Sequence, residues 1–165
     1  MDDGALRVRL AAPEPRPGAL DSALAAAGLE VDPRAATGVV VSAGRCADTE
    51  VQALMERWIV DSTPHLLLAA HPHGVEVGPW VLPGVSPCGH CVAASTLCEP
   101  QPALPSLSPA LWALAAGWAA RDIQSWRRGE TPSTWATSWL LGADPVPQSR
   151  RWLRHPYCGC AWFDL

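Results

Sequence analysis

The stretch GVVVSAGRCADTEVQALMERWIVDSTPHLLLAA, residues 38–70, decides the fold class. Gly38 to Ser42 is a short, uncharged, β-branched run, and His65 to Ala70 (HLLLAA) is a second run of buried-strand type. Such runs suit strands buried on both faces, as in parallel sheets covered by helices. Between them Val51, Leu54, Met55, Trp58 and Ile59 recur at helical spacing and predict a single apolar helix face. Thr49 and Gln52 have capping-box spacing at its start, and Asp61-Ser62-Thr63-Pro64 ends it. Strand, helix, strand in this order is the unit of an α/β sheet.

Working outward, Ala5 to Leu10 alternates apolar and polar residues and reads as a strand, broken by Pro13, Pro15, Pro17 and Gly18. Ala19 to Leu29 is rich in Ala and Leu and predicts a helix that stops near Gly28. His71-Pro72-His73-Gly74 reads as a turn, and Gly74 to Leu82 continues in extended form. Proline then marks a loop-rich middle, at positions 83, 87, 100, 102 and 105. Ser108 as N-cap, Pro109 in the first turn and Gly129 as stop frame a long helix. Leu111, Leu114, Ala115 and Trp118 mark one of its faces, and Trp112, Ala116, Ala119, Ile123 and Trp126 another. A helix apolar on two sides is expected to pack on the sheet and on a second copy or a partner. Two late strands follow, Thr134 to Leu141 and Gln148 to Leu153. The expectation is one domain over residues 1–165, an α/β fold with a parallel sheet.

Composition narrows the function classes. The 165 residues are 48% hydrophobic and 17% charged, enough apolar content to bury a core. All 12 basic residues are Arg, and the formal charge is −4. A net acidic chain is a poor electrostatic match for nucleic acid, whose binding requires phosphates to be neutralised. The sequence offers no Lys as phosphate clamp or Schiff-base nucleophile. No apolar run is long enough for a membrane span, and the start MDDGALRVRL lacks the regions of a signal peptide. A cytoplasmic location is expected, and six Cys there argue for metal or free thiols before disulfides.

Cys88-Gly89-His90-Cys91 and Cys158-Gly159-Cys160 are two close pairs. Each pair can wrap a metal ion, and together Cys88, Cys91, Cys158 and Cys160 supply the four thiolates of a closed, structural zinc site. Ordinary buried or redox cysteines are the competing reading. A thioredoxin-like use of the first pair needs a helix start, which Pro87 and the surrounding loops do not suggest. His90 and His155 flank the pairs and could replace one thiolate. Cys46 and Cys98 have no partner at chelating spacing and read as ordinary thiols. His65, His71 and His73 read as structural, and no catalytic or cofactor-binding residue is nominated.

The stretch TPHLLLAAHPHGVEVGPWVLPGVSPCGHC resembles the ThiF-like, ubiquitin-activating-enzyme-like component that works beside YcaO-type enzymes in peptide cyclodehydratases, makers of thiazole/oxazole-modified peptides. The resemblance rests on the turns Gly78-Pro79 and Pro83-Gly84, the C-x-x-C, the long Ala-rich helix and the late His155-Pro156-Tyr157-Cys158-Gly159-Cys160 knuckle, and covers about residues 38–162. It implies a reduced ThiF-like, Rossmann-related sheet with a zinc knuckle whose halves lie at residues 83–98 and 154–162. The 37 residues before Gly38 are too few for both a leader-gripping winged helix and the start of a nucleotide fold, and no G-x-G-x-x-G follows the first strand. Arg7 and Arg9 read as edge or surface residues.

The function implied is a non-catalytic partner that docks on a YcaO-type enzyme, activates it and helps present a ribosomally made precursor peptide for ATP-dependent backbone modification. Azoline, thioamide or amidine would be the product. Homodimerisation is in keeping with ThiF-like proteins, and Trp80, Trp112, Trp126 and Trp162 are candidates for a partner interface, with a place in the core the favoured reading of each taken singly. The alternatives are a minimal adenylating enzyme acting on a peptide carboxylate, and a zinc-ribbon nucleic-acid-binding module.

Overall fold

A computed structural model describes residues 5–101 and 103–160. The two buried runs at residues 38–42 and 65–70 lie side by side at the centre of a seven-stranded sheet. They are β3 (Gly38–Ala43) and β4 (His65–His71), paired in parallel from Gly38 opposite His65 to Ala43 opposite Ala70. β1 (Leu6–Ala11) and β2 (Leu29–Val31) extend the parallel half, and β5 (Gly74–Val81), β6 (Thr137–Leu141) and β7 (Gln148–Arg151) add an antiparallel half. The strand order is β2-β1-β3-β4-β5-β6-β7. The fold is thus α/β as expected, but its sheet is mixed where a parallel one was predicted. The cause is the link between β4 and β5. Pro72 and His73 alone separate the strands, and so short a connection permits only an antiparallel return.

Alternation across the sheet builds two cores. Val39, Val41, Leu66, Leu68, Val75, Val77 and Trp80 face α1 (Gly18–Ala26) and α4 (Pro109–Arg127). Val40, Leu67 and Val81 face α2 (Thr49–Val60) and α3 (Gly89–Ala94). Helices on both faces explain why β3 is buried along its whole length. The chain runs outward from β1 to β2, then returns across β1 to β3. Strand order reverses there, and such crevices at the carboxyl ends of strands are where open α/β sheets bind ligands.

Several local expectations shift. The N-cap of α2 is Asp48, whose carboxylate accepts from the backbone N–H of Glu50 and Val51 at 2.9 Å each, so Thr49 is already helical. Val51, Met55 and Trp58 are its buried face, whereas Leu54 is exposed. The cap of α4 is Ser108 as expected, and Gly129 adopts a left-handed φ of 74° just beyond its end. The face marked by Leu111, Leu114, Ala115 and Trp118 is incompletely covered, for Leu114 is 60% exposed. Arg9 is no edge residue. β1 lies between β2 and β3, and the Arg9 side chain donates to the Ala35 carbonyl at 2.7 Å and to Thr63 Oγ1 at 3.2 Å. Trp80 and Trp112 are wholly buried, Trp126 packs against Trp80, and Trp162 lies outside the described residues.

Candidate metal centre

The two cysteine pairs are brought together by opposite ends of the chain's second half. Cys88 is the N-cap of α3, and Cys91 sits in its first turn. The C-x-x-C therefore does stand at a helix start, contrary to the expectation drawn from Pro87. Cys158 and Cys160 come from the segment after β7, where the Cys158 N–H donates to the His155 carbonyl at 2.9 Å and curls the chain. The sulfurs of Cys88 and Cys158 are 3.5 Å apart, those of Cys91 and Cys160 3.4 Å, and those of Cys88 and Cys91 3.7 Å. All four lie within 4.8 Å of one another, all four residues are buried, and together they could hold a metal ion.

A Cβ at Gly89 would meet Met55 Sδ of α2 at 2.5 Å, so a larger residue there requires the end of the Met55 side chain to move aside. Met55, Val81, Val92 and Trp152 surround the sulfurs, which makes the cluster part of the second core. The Arg154 guanidinium donates to the Cys160 carbonyl at 2.7 Å and ties the last turn down.

Ionisation of the four thiols is strongly interdependent. The hydrogen bond from Cys88 lowers Cys91 to about 4 against the opposing effect of burial, and the His155 backbone N–H, 3.3 Å from Cys91 Sγ, adds to it. The same hydrogen bond, with burial, pushes Cys88 up. Burial, then hydrogen bonds with Cys158 and Cys91, pushes Cys160 up to about 11. Without a metal, Cys91 is thus the thiol favoured as thiolate, while Cys88 and Cys160 are held protonated. A bound cation removes that obstacle, because it stabilises each thiolate. His90 and His155 are not members of the cluster. His90 Nε2 lies 3.3 Å from Glu56, and His155 contributes its backbone N–H.

Cys46 and Cys98, expected to be ordinary thiols, form a disulfide across 52 residues. It joins the loop after β3 to the loop after α3. The fold brings these loops together at one end of the sheet, a proximity that spacing along the chain does not reveal. α3 is consequently fastened at both ends, by the four-sulfur cluster before it and by the disulfide beyond it.

A polar group that sequence reading did not single out lies beside the cluster. Glu76 of β5 is 2% exposed, and its carboxylate accepts from Arg45 Nε at 2.7 Å, from His71 Nε2 at 3.2 Å and from the Ser138 hydroxyl. Burial alone would raise its pKa, but the hydrogen bonds from His71, Arg45 and Ser138 and the Arg45 charge outweigh burial and hold it at about 2. Trp152 Nε1 donates to Ser138 Oγ at 2.8 Å and extends the network. His65, by contrast, is a core residue. It is wholly buried, its Nδ1 donates to the Thr63 carbonyl at 2.9 Å, and burial lowers its pKa to about 4.

No family model matches the chain. No curated protein matches it in sequence. Solved structures do match in fold. The heterocyclase TruD superposes with a TM-score of 0.67 over 94% of this chain at 23% identity, and a heterocyclase in complex with substrate and cofactor with 0.71 over 94% at 17%. MccB of E. coli with MccA matches with a TM-score of 0.58 over 81% at 13% identity. The chain spans 27% and 25% of the two heterocyclase chains and 45% of the MccB chain. At these identities the likeness establishes a shared fold.

Proposed function

We propose that this chain is a zinc-stapled, non-catalytic partner of a YcaO-type enzyme in the ATP-dependent backbone modification of a ribosomally made precursor peptide. The observation that carries the reading is the pairing of a heterocyclase-like fold with a four-cysteine cluster built from two distant pairs. Zinc suits the cluster on geometric grounds. Zinc–sulfur bonds of ~2.3 Å in a tetrahedron put sulfurs ~3.8 Å apart, close to the 3.4, 3.5 and 3.7 Å separations of three of the pairs. Cys88, Cys91, Cys158 and Cys160 would be the ligands. Four protein ligands leave no position for water or substrate, so the ion's part is to hold the segment after β7 against α3.

A partner role, in place of adenylation, is supported by the connection between β1 and α1. Ala12 to Pro17 spans it with six residues that include three prolines and no glycine, and Pro17 caps the helix without a side-chain hydrogen bond. Glycine-rich connections cradle phosphates because their backbone N–H groups can converge on the anion, and proline has none to offer. Co-expression with a YcaO-type enzyme and a precursor peptide tests the proposal. A co-purifying complex and peptide conversion that falls at least tenfold without this chain are the expected results. Failure to associate, with conversion unchanged, would remove the partner reading; calorimetric binding of ATP would favour an adenylating enzyme instead.

A further inference from the structure

A cavity of about 130 Å³ lies between the second face of the sheet and helices α2 and α3, beside but separate from the four sulfurs. Val40 and Leu67 form its floor, Met55 and Val92 its helical walls, and Trp152 one side. Ala69 of β4 faces into it where a longer side chain would fill the space. A volume of this order accommodates a small hydrocarbon ring, by comparison with dry engineered cavities of about 150 Å³ that take benzene.

One end of the cavity is polar, and its charge balance limits what can enter. Arg45 and Glu76 both line it. Glu76 is already saturated by Arg45, His71 and Ser138. Arg45 commits Nε to Glu76, and its remaining N–H groups make no hydrogen bond among the described residues. Arg45 and Glu76 already neutralise each other, so a carboxylate or an ammonium group entering there loses its hydration and finds no unpaired counter-charge. A neutral acceptor, such as a carbonyl oxygen or ring nitrogen, meets neither obstacle and can accept from Arg45. The wall that carries Arg45 is fixed by the adjoining Cys46–Cys98 disulfide, so the donor is held in place before any ligand arrives.

We propose that this cavity is a binding site for a compact, uncharged group of about a five-membered ring's size, mostly apolar and bearing one hydrogen-bond acceptor directed at Arg45. The site does not depend on the identity of the metal or on association with an enzyme.

Methyl-resolved NMR titration of the full chain tests it with three probes of one size: cyclopentanone, cyclopentane and protonated pyrrolidine. Cyclopentanone is expected to give saturable shifts at the methyl groups of Val40, Leu67, Met55 and Val92. It should bind at least fivefold more tightly than cyclopentane, with pyrrolidinium weakest. Ala69→Leu, which fills the cavity with an apolar side chain, should weaken cyclopentanone at least tenfold. Arg45→Lys, which keeps the charge beside Glu76 and loses the guanidinium fork, should bring cyclopentanone and cyclopentane to similar affinities. Absence of saturable shifts in the unmodified protein overturns the site, and so does binding that survives Ala69→Leu. Equal or tighter binding of pyrrolidinium overturns the assignment to neutral acceptors. The unmodified protein decides the first and last points without any variant that must fold.

Discussion

Arg45 Nε lies 2.7 Å from Glu76 Oε2, so that a residue in the loop after β3 neutralises a carboxylate buried in the middle of β5. The pair is hydrogen-bonded and largely dry, the setting in which loss of one partner strands the other. Arg45→Met is expected to destabilise the fold by about 3 kcal/mol, and Glu76→Gln by less, since the amide keeps part of the network. Urea unfolding of the two variants decides this; equal and negligible losses would show the pair to be an onlooker.

Acid should unfold the protein in two stages. His65 is depressed from 6.5 to about 4, so the unfolded chain takes up a proton that the folded chain refuses as pH falls through that interval. Stability then declines between pH 6.5 and about 4, by an amount on the order of 3 kcal/mol. Glu76 is depressed from 4.5 to about 2, so its contribution is present above 4.5 and is lost as pH falls towards 2. Unfolding free energies measured from pH 8 to 3 should show the first decline, and His65→Gln should flatten it while leaving the second.

Asp122 fastens α4 to the approach to β6. Its carboxylate accepts from the backbone N–H and hydroxyl of both Ser133 and Thr134, at 2.6 to 3.1 Å. Asp122→Ala removes four bonds and leaves buried donors behind, for an expected loss of about 3 kcal/mol. Hydrogen exchange at Ser133 and Thr134 should quicken well before the sheet's does; uniform exchange across the protein would contradict the local anchor.

The disulfide should be worth more than any single contact of the loops it joins. Closing 52 residues restricts the unfolded chain by an amount the loop-entropy relation puts near ~4 kcal/mol. Cys46→Ala with Cys98→Ala should lower the melting temperature accordingly, and alkylation of the unmodified protein under denaturing, non-reducing, chelating conditions should label four cysteines. Six labelled would disprove the bridge.

Cys158→Ser tests the metal cluster separately. On the proposed zinc assignment it is expected to reduce bound zinc to below about half an equivalent, on the order of the loss that follows removal of one of four ligands, and to loosen the segment after β7 while the sheet persists. Unchanged metal content by elemental analysis would refute the ligand assignment.

Much of this architecture was legible because local signals agreed. β3 and β4 announced themselves by consecutive Val or Leu residues with no polar alternation at their centres, and α4 carried a cap, a first-turn proline and a terminating glycine. The four clustered cysteines were legible as two pairs, since each pair is local, whereas the contact between the pairs spans about seventy residues. Other features depend on distance along the chain. Cys46 and Cys98 have no local relation, and nothing in residues 46 to 98 foretells that their loops share an end of the sheet. Glu76 sits in Val-Glu-Val, a pattern that ordinarily turns the charge to solvent, but α2 and α3 cover that face here. Asp48 and Thr49 are adjacent and both cap helices well, so composition could not choose between them. β2 is three residues long, too short for any periodicity to register.

The bridge between Cys46 and Cys98 also decides how the protein would bear tension. Force applied between its two ends passes through the sulfur–sulfur bond, and α2, β4, β5 and α3 hang inside the bypassed loop. The sheet's central hairpin is therefore shielded from stretching, while β1 to β3 on one side and α4 to β7 on the other take the load. Threading through a narrow pore, as an unfolding machine would attempt, would have to pull two strands abreast at that point.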